Sequence, residues 1–408
     1  MRKIIGFLII VCLVTPVFSL TWSDVVEQAP KTNHDLKSAQ KQLEAGEWGY
    51  KKALTDFLPS LSGSAGLTES GTAGAKSYSY GLSVRQSLFQ GMAEVYGIQS
   101  AYEDVVYEKA SLKAAQASVY YSLRAAFVEV LNKQEQVKLF EGILKQRQEN
   151  SRLIQLRYDS GKEDKGNLLT TKANQSSAEY DLSSAKRDLK LAKLKMSQLL
   201  EQEVDQVELP PSHSRESGNP EEINFDQLLE QTPAYIMAQS SLKSAELADQ
   251  AAISGFLPSV SLSGSYSKRG NEWPPADSSS RSWGLSVSVP IFPGGSNIAD
   301  KIIYQLRLDK AREDFKQTKN DLRYELESAF ESFQDALEAL VVTKISLAAT
   351  QERAKITQAK YLNGLVTYDE WDRIESTNIS AQKSLLNSQK SAYLAEANWY
   401  KTYGGYLK

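Results

Sequence analysis

Residues 98–130 read IQSAYEDVVYEKASLKAAQASVYYSLRAAFVEV, and they lie inside a longer run, 92–156, that contains no proline. Their apolar side chains recur at steps of three, four or seven residues, which predicts a helix that buries one stripe. These residues are Ile98, Tyr102, Val105, Leu112, Val119, Leu123, Phe127 and Val130. At about 1.5 Å per residue the whole run would be roughly 100 Å long, several times the width of an ordinary domain. An element of similar length must therefore lie beside it.

The chain also contains an internal duplication. Three motifs recur in the same order: FLPSLS at 57–62 as FLPSVS at 256–261, YGLSV at 80–84 as WGLSV at 283–287, and RYxxG at 157–161 as KYxxG at 360–364. The offsets between the copies are 199, 203 and 203 residues. Three collinear matches at nearly one offset indicate two copies of one unit.

Each copy is predicted to contain a helix, a β-hairpin, a long helix, a tip turn and a final helix. The two shorter helices together match the long one, so we expect them to stack end to end beside it. A segment rich in proline, glycine and serine, 201–223, is predicted to link the copies. The first copy, 20–200, has its hairpin at 58–90, long helix at 92–156 and tip turn at 157–167; the second, 224–408, has them at 257–292, 299–360 and 361–368.

The N-terminus has the features of a secretion signal. Arg2 and Lys3 precede an apolar stretch, and Ser19 stands at the predicted cleavage site. We therefore expect residues 1–19 to be removed as a signal peptide. The only cysteine, Cys12, follows Val11 rather than a small residue, so we expect no lipid attachment. The mature chain then has no disulfide and no thiolate chemistry.

The composition argues against several classes of function. A formal net charge of −3 over 408 residues gives no basic footprint for nucleic acid. After the signal, no apolar run has the length of a transmembrane helix. The two histidines, His34 and His213, lie in a predicted helix and in the linker, and no catalytic, metal or cofactor motif is present. We expect no enzyme activity and no cofactor.

The hairpin segments alternate between apolar and small polar residues, which predicts strands with two different faces. At about 10 residues each, such strands can cross a bilayer when tilted. We interpret them as a barrel with a lipid-facing surface and a wet lumen, the alternative being soluble hairpins packed on a core. The signal, the serine-rich face and the very long helices favour the barrel. The predicted lumen face is Ser259, Ser261, Ser263, Ser286 and Ser288, and the predicted lipid face is Val260, Leu262, Trp283, Leu285 and Val287.

Four strands are too few to close a transmembrane barrel, for which about eight is the minimum. Open sheet edges in lipid would leave backbone groups without hydrogen bonds. We therefore expect an oligomer, in which a dimer would supply eight strands and a trimer twelve.

The duplicated unit, the FLPS start of each first strand and the YxxG turns resemble the TolC-like outer-membrane efflux proteins over essentially the whole mature chain. The resemblance implies a mainly α fold with a membrane β part: a homotrimer whose twelve-stranded outer-membrane barrel, four strands per chain, continues as a long helical barrel across the periplasm. It also implies a passive exit duct of a tripartite efflux or type I secretion system. Cargo would come from an inner-membrane transporter through a periplasmic adaptor protein.

The resemblance further implies roles for the two tip turns. The second turn would form the periplasmic aperture, with Asp369, Glu370 and Asp372 as acidic residues and Arg373 as a partner in the bonds that hold it closed. The alternative is that the carboxylates stabilise the N-terminus of the last helix through its dipole.

Both turns would also dock the adaptor, although their glycines equally fit the simpler role of ending and starting helices. The residues expected to dock it are Tyr158, Gly161, Gly166, Tyr361 and Gly364.

The sequence leaves two rival functions open. One is a soluble periplasmic coiled-coil scaffold, and the other is a trimeric adhesin stalk, which the duplication and the paired hairpins disfavour. The expected location is the outer membrane, with the helical part in the periplasm. The cargo is not specified, because a passive duct conducts whatever its partner supplies.

Overall fold

The computed structural model describes residues 20–70, 75–208 and 223–405, so the predicted signal peptide and residues 209–222 of the predicted linker lie outside the described chain. None of the helices in these ranges combines the length and the hydropathy needed to cross a membrane. The first repeat contains α1 (Trp22–Thr32), α2 (His34–Leu54), β1 (Ser60–Ser70), β2 (Ala75–Gln90), α3 (Ala93–Asp159) and α4 (Lys165–Leu200). The second contains α5 (Phe225–Glu230), α6 (Pro233–Ala251), β3 (Ser259–Gly270), β4 (Ser278–Ser288), α7 (Ser296–Leu362) and α8 (Tyr368–Thr402).

The two long helices confirm the predicted architecture. α3 and α7 have 67 residues each, which is about 100 Å at 1.5 Å per residue. The shorter helices of the first repeat lie along α3 one after the other. Gln42 of α2 donates a hydrogen bond to Glu108 at 3.0 Å, and Lys186 of α4 pairs with Glu141 at 3.2 Å. In the second repeat α8 lies along α7, and α6 packs against both α7 and α3.

The short helix that opens each repeat is broken, which the apolar pattern did not predict. Asn33 ends α1 and caps α2, since its Oδ1 accepts a hydrogen bond from the N–H of Leu36 at 3.1 Å. Thr232 caps α6 through a bond from the N–H of Tyr235 at 3.2 Å, and Pro233 occupies the first helical position. Such side-chain caps compete with continuation of the preceding helix.

The apolar core is divided into clusters along the rod. The largest joins α1, α3 and α4 around Trp22 and Phe127. It includes Val204 and Val207, so the first part of the predicted linker packs on this core rather than running free between the repeats. The corresponding cluster of the second repeat joins α5, α7 and α8 around Phe330.

The four strands form one antiparallel sheet in the order β1-β2-β3-β4. Its register places the predicted lipid-face residues on one side and the predicted lumen-face residues on the other. Across β3 and β4 the apolar pairs are Val260–Val287 and Leu262–Leu285, and the serine pairs are Ser259–Ser288, Ser261–Ser286 and Ser265–Ser282. The hydroxyls of the last pair are 2.8 Å apart. The sheet thus has one apolar and one serine-rich face.

The sheet has two open edges, β1 and β4. β4 ends at Ser288, whereas its counterpart in the first repeat, β2, continues to Gln90 beside β3. Beyond the end of β4, Ile291 and Phe292 are 94% and 84% exposed. The chain therefore carries apolar residues that it does not cover, at an edge that it does not pair.

Candidate functional site at the helical tips

The two turns at the end of the rod away from the sheet have the same backbone conformation. Gly161 and Gly364 have φ of +70° and +72°, the left-handed region that favours glycine. In each turn an N–H just after the glycine bonds to a carbonyl five residues back, at 2.8 and 2.9 Å. Both glycines thus end their long helices, and Gly166 lies in the first turn of α4.

Tyr361 of the second turn is buried, unlike its counterpart in the first. Its ring stacks on Trp371, with the centroids 4.6 Å apart and an angle of 7° between the planes. Its hydroxyl donates a hydrogen bond to Glu163 of the first turn. Tyr361 is 2% exposed, whereas Tyr158 is 36% exposed. The expected docking role of Tyr361 does not fit this burial, because its side chain joins the two turns and offers no free surface.

A buried charge cluster lies further along the rod, between α3 and α8. Arg147 donates from Nη1 to Asp372 at 2.8 Å and to Glu375 at 2.9 Å. Glu375 also accepts hydrogen bonds from Asn150 and Gln146, both at 2.6 Å. The described residues contain no group of three or more His, Cys, Asp or Glu side chains that could hold a metal ion. The cation that balances these carboxylates is the guanidinium.

Two more hydrogen bonds extend the cluster from α4 to α8. Asn174 donates to Asp372 at 3.1 Å, and the hydroxyls of Thr171 and Tyr368 are 2.7 Å apart. All of these bonds run from helices of the first repeat to α8 of the second, so they tie the two repeats together near the tips. We call this set the latch cluster: Gln146, Arg147, Asn150, Thr171, Asn174, Tyr368, Asp372 and Glu375.

Burial raises the pKa of Glu375 above its ordinary value, because loss of water disfavours the charged carboxylate. The hydrogen bond from Asn150 and the charge of Arg147 act in the opposite direction, and the charge of Asp372 adds to the rise. Burial also raises the pKa of Tyr368. Glu375 therefore takes up a proton more readily in the latch cluster than it would in water.

The residues predicted to form the aperture lie in the first turns of α8 and differ in burial. Asp369 and Glu370 are exposed in the first turn of α8, and neither makes an ion pair within the described part of the chain. Asp372 belongs to the latch cluster, where it accepts hydrogen bonds from Arg147 and Asn174. Arg373 is exposed. Within one chain the ion pair with Asp372, which was expected to involve Arg373, is made by Arg147.

Sequence reasoning missed Arg147, Asn150 and Glu375. One signal was available, because Glu375 lies four residues from both Trp371 and Ile379 on the buried face of α8. A charged residue on such a face needs a partner. The partner could not be read from the pattern, since Arg147 is 228 residues away in sequence.

Comparison with known proteins agrees with this architecture. Outer membrane efflux protein BepC of Brucella suis is 21% identical over 383 residues, covering 90% of this chain and 83% of BepC. Cation efflux system protein CusC of Escherichia coli K12 is 23% identical over 412 residues, covering 93% and 86%.

Solved structures have the same fold. A crystal structure of CusC superposes with a TM-score of 0.83 at 19% identity, covering 94% of this chain and 92% of that one. The structure of VceC from Vibrio cholerae gives 0.81 at 18% identity, covering 95% and 97%.

The family described as "Outer membrane efflux protein" has a sequence model that matches residues 25–201 and 224–405. The two matched segments coincide with the two repeats and together make up most of the chain. The chain belongs to the outer membrane efflux protein family.

Proposed function

We propose that this protein is the outer-membrane exit duct of a tripartite efflux or type I secretion system and conducts cargo passively to the exterior. The main support for this proposal is the sheet. One of its faces is apolar and exposed, the other is serine-rich, and both of its edge strands lack a partner strand. On the apolar face Trp283, Leu285 and Val287 are 84%, 59% and 60% exposed. An apolar surface of this kind suits lipid, and a small polar face suits a water-filled lumen.

The oligomer that we propose is a homotrimer with a twelve-stranded barrel. The duplication supports a specific seam between subunits, because β2 and β3 already pair within one chain. In the duplication, Leu285 of β4 corresponds to Leu82 of β2, and Tyr266 of β3 corresponds to Leu67 of β1. Within one chain Leu82 lies opposite Tyr266. By analogy, Leu285 of one copy would lie opposite Leu67 of the next copy. The exposed segment after Ser288 would then run beside the start of the neighbouring β1.

The partners would be a periplasmic adaptor protein and an inner-membrane transporter that supplies the energy. Family membership supports a role in such an assembly. Tyr158, Gly161, Gly166 and Gly364 are the tip residues that remain candidates for docking the adaptor. The cargo stays unassigned, since the names of relatives range from cation efflux to outer membrane efflux in general.

The latch cluster would hold the periplasmic end closed, because its bonds must break before α8 can move away from α3 and α4. Asp369 and Glu370, which are exposed beside it, would form the acidic ring of the aperture when three copies meet. Their position in the first helical turn also fits the simpler role of stabilising the helix dipole.

The rival functions account less well for the sheet. A soluble periplasmic scaffold or an adhesin stalk would not need an exposed apolar face opposite a serine face. Detergent-dependent solubility of the mature protein supports the duct, whereas a soluble monomer would support the scaffold.

The first prediction concerns the two faces of the sheet. Leu285→Arg should hinder insertion, because a charge near mid-bilayer on the lipid face of a barrel costs about 2–4 kcal/mol. The matched variant Ser286→Arg should insert and change the conductance instead. Insertion is measured as the fraction of oligomer recovered in membranes. Equal recovery of both variants would mean that the assigned facing is wrong.

The second prediction tests the seam. A protein with Leu285→Cys and Leu67→Cys should form disulfides between subunits on mild oxidation, and a closed ring should migrate as a covalent trimer on a non-reducing gel. No native cysteine should compete for disulfide formation, since the only one, Cys12, lies in the predicted signal peptide. Leu285→Cys with Leu61→Cys is the off-register control and should remain monomeric on the gel. Cross-linking of the control but not of the predicted pair would refute this register.

The third prediction tests the latch and the channel together. Breaking a buried ion pair costs about 3–5 kcal/mol, so Arg147→Gln should raise the conductance in planar bilayers well above the low value expected of the wild type. Lys383→Gln is the matched control, since Lys383 also joins α8 to α4 but pairs with Asp181 at an exposed site, with side chains 41% and 42% exposed. Exposed pairs contribute about 0–1 kcal/mol. No conductance from wild type or variant would refute the duct.

The same latch should respond to pH. The pKa of Glu375 is raised in the latched state, so that state binds a proton more tightly than one in which the carboxylate faces water. Latching is therefore favoured at low pH and weakens as the pH rises through the raised pKa. Acidification from neutral pH should reduce the open probability, and Glu375→Gln should abolish this response. If the open probability of the Glu375→Gln variant responds to pH like that of the wild type, another titrating group is responsible.

The fourth prediction decides between the two roles of Asp369 and Glu370. If they form an acidic ring, Asp369→Asn with Glu370→Gln should weaken cation selectivity, most strongly at low salt, where the Debye length is about 30 Å at 0.01 M. Neutralising Asp309 and Glu313, near the other end of α7, should leave the reversal potential unchanged. An unchanged reversal potential in the first variant would leave only the helix-dipole role.

A further inference from the structure

A band of basic residues lies on the apolar face of the sheet, at the end farthest from the helices. We call Lys76, Lys268 and Arg281 the basic band. The register fixes their side: Lys268 lies opposite Tyr80, and Arg281 lies opposite Tyr266. Lys76 is on the same face, because side chains alternate along β2 and Lys76 is four positions from Tyr80.

Aromatic rings accompany the basic band. The guanidinium of Arg281 lies over the ring of Tyr266, 5.4 Å from its centroid. The ring of Trp273 lies 6.3 Å from that of Tyr78 and 6.1 Å from that of Tyr80. Tyrosine and tryptophan are enriched where a membrane protein passes from hydrocarbon to headgroups. Lysine and arginine in such a belt can reach the same layer.

The depth of the band agrees with this position. Lys268 is eight residues along β3 from Val260, which lies near the helical end of the sheet. At about 3.3 Å per residue and a tilt of about 40°, the two are roughly 20 Å apart along the membrane normal. The apolar band of a transmembrane barrel is about 25 Å tall. The basic band therefore lies at the outer edge of the apolar surface, where a charge is tolerated.

The basic band has little opposite charge on its own face of the sheet. Within the described strands the one carboxylate on this face is Glu69, which lies opposite Lys76. None of the three basic side chains makes an ion pair within the described part of the chain, and Arg281 instead contacts the ring of Tyr266. The serine face carries two other basic residues, Arg85 and Arg269. They serve as a control for the basic band, because they lie in the same sheet but face the other way. On this face of the described strands three basic side chains stand against one carboxylate, and the turn residues Glu272 and Asp277 make no ion pair with them, so the face itself is positive.

We propose that the basic band binds the phosphate groups of a phosphorylated glycolipid in the outer leaflet of the membrane. The inference rests on the proposed function, since it requires the apolar face in lipid and the strand turns on the outer side. Phosphate complements both the charge and the hydrogen-bond donors of lysine and arginine. A basic side chain near an anionic lipid surface contributes about fivefold in affinity.

The test measures the affinity of the oligomer for lipid A with two phosphates, by native mass spectrometry in non-ionic detergent. Lys76→Gln with Lys268→Gln and Arg281→Gln should weaken binding about 100-fold, at roughly fivefold per side chain. The matched control, Arg85→Gln with Arg269→Gln, removes charge from the serine face and should bind like the wild type. Dephosphorylated lipid A should bind the wild type about as weakly as lipid A binds the triple variant. Inorganic phosphate alone should not displace lipid A.

Three results would overturn the inference: equal affinity of the triple variant and the wild type, an equal loss in the control, or equal binding of dephosphorylated lipid A. If the triple variant does not assemble, the single variants Lys268→Gln and Arg281→Gln replace it, each with an expected loss of about fivefold. Failure of the proposed function is observed separately, in wild-type protein that neither inserts into bilayers nor conducts. Wild type that inserts and conducts, with variants that keep their lipid A affinity, refutes the phosphate site alone.

Discussion

The unpaired edges of the four-stranded sheet are the constraint on which the rest of the structure depends. In hydrocarbon every backbone N–H and C=O must be bonded within the protein, so a sheet with free β1 and β4 cannot remain open there. The strands and the rod are continuous, because β2 leads into α3 and β4 leads into α7 within a few residues. Closing the sheet into a barrel would therefore arrange the long helices around the same axis. Membrane insertion and the helical tube would follow from one requirement.

The two repeats share a fold but differ in what surrounds equivalent positions. Gly91 has φ of +63°, and a Cβ there would lie 2.9 Å from the Cα of Ser254. Its counterpart Gly294 has φ of +69° but nothing within 4 Å of such a Cβ. Tyr361 is packed between the two tips, while Tyr158 is partly exposed. Equivalent positions are thus crowded in one repeat and open in the other.

Near the tips the repeats are joined by polar bonds as well as by a small apolar cluster. Arg147 donates a directional hydrogen bond to Glu375. Water can replace such a bond when helices separate, whereas an extended apolar seam would resist separation. A buried ion pair contributes little net stability, but it does specify one geometry. The contacts between the repeats near the tips are therefore specific in geometry rather than broadly apolar.

The sequence by itself determined the helices, the strands, the duplication and the two faces of the sheet, since the helical period and the strand alternation follow from local backbone geometry. The apolar pattern did not locate the breaks at Asn33 and Thr232, where a local cap prevails over a continuous apolar stripe. Only the tertiary structure paired Arg147 with Glu375 and buried Tyr361, which the motif alone had placed on the surface. These contacts depend on which faces of distant helices meet, and that is decided by packing over the whole rod, not by the residues next to them in the chain.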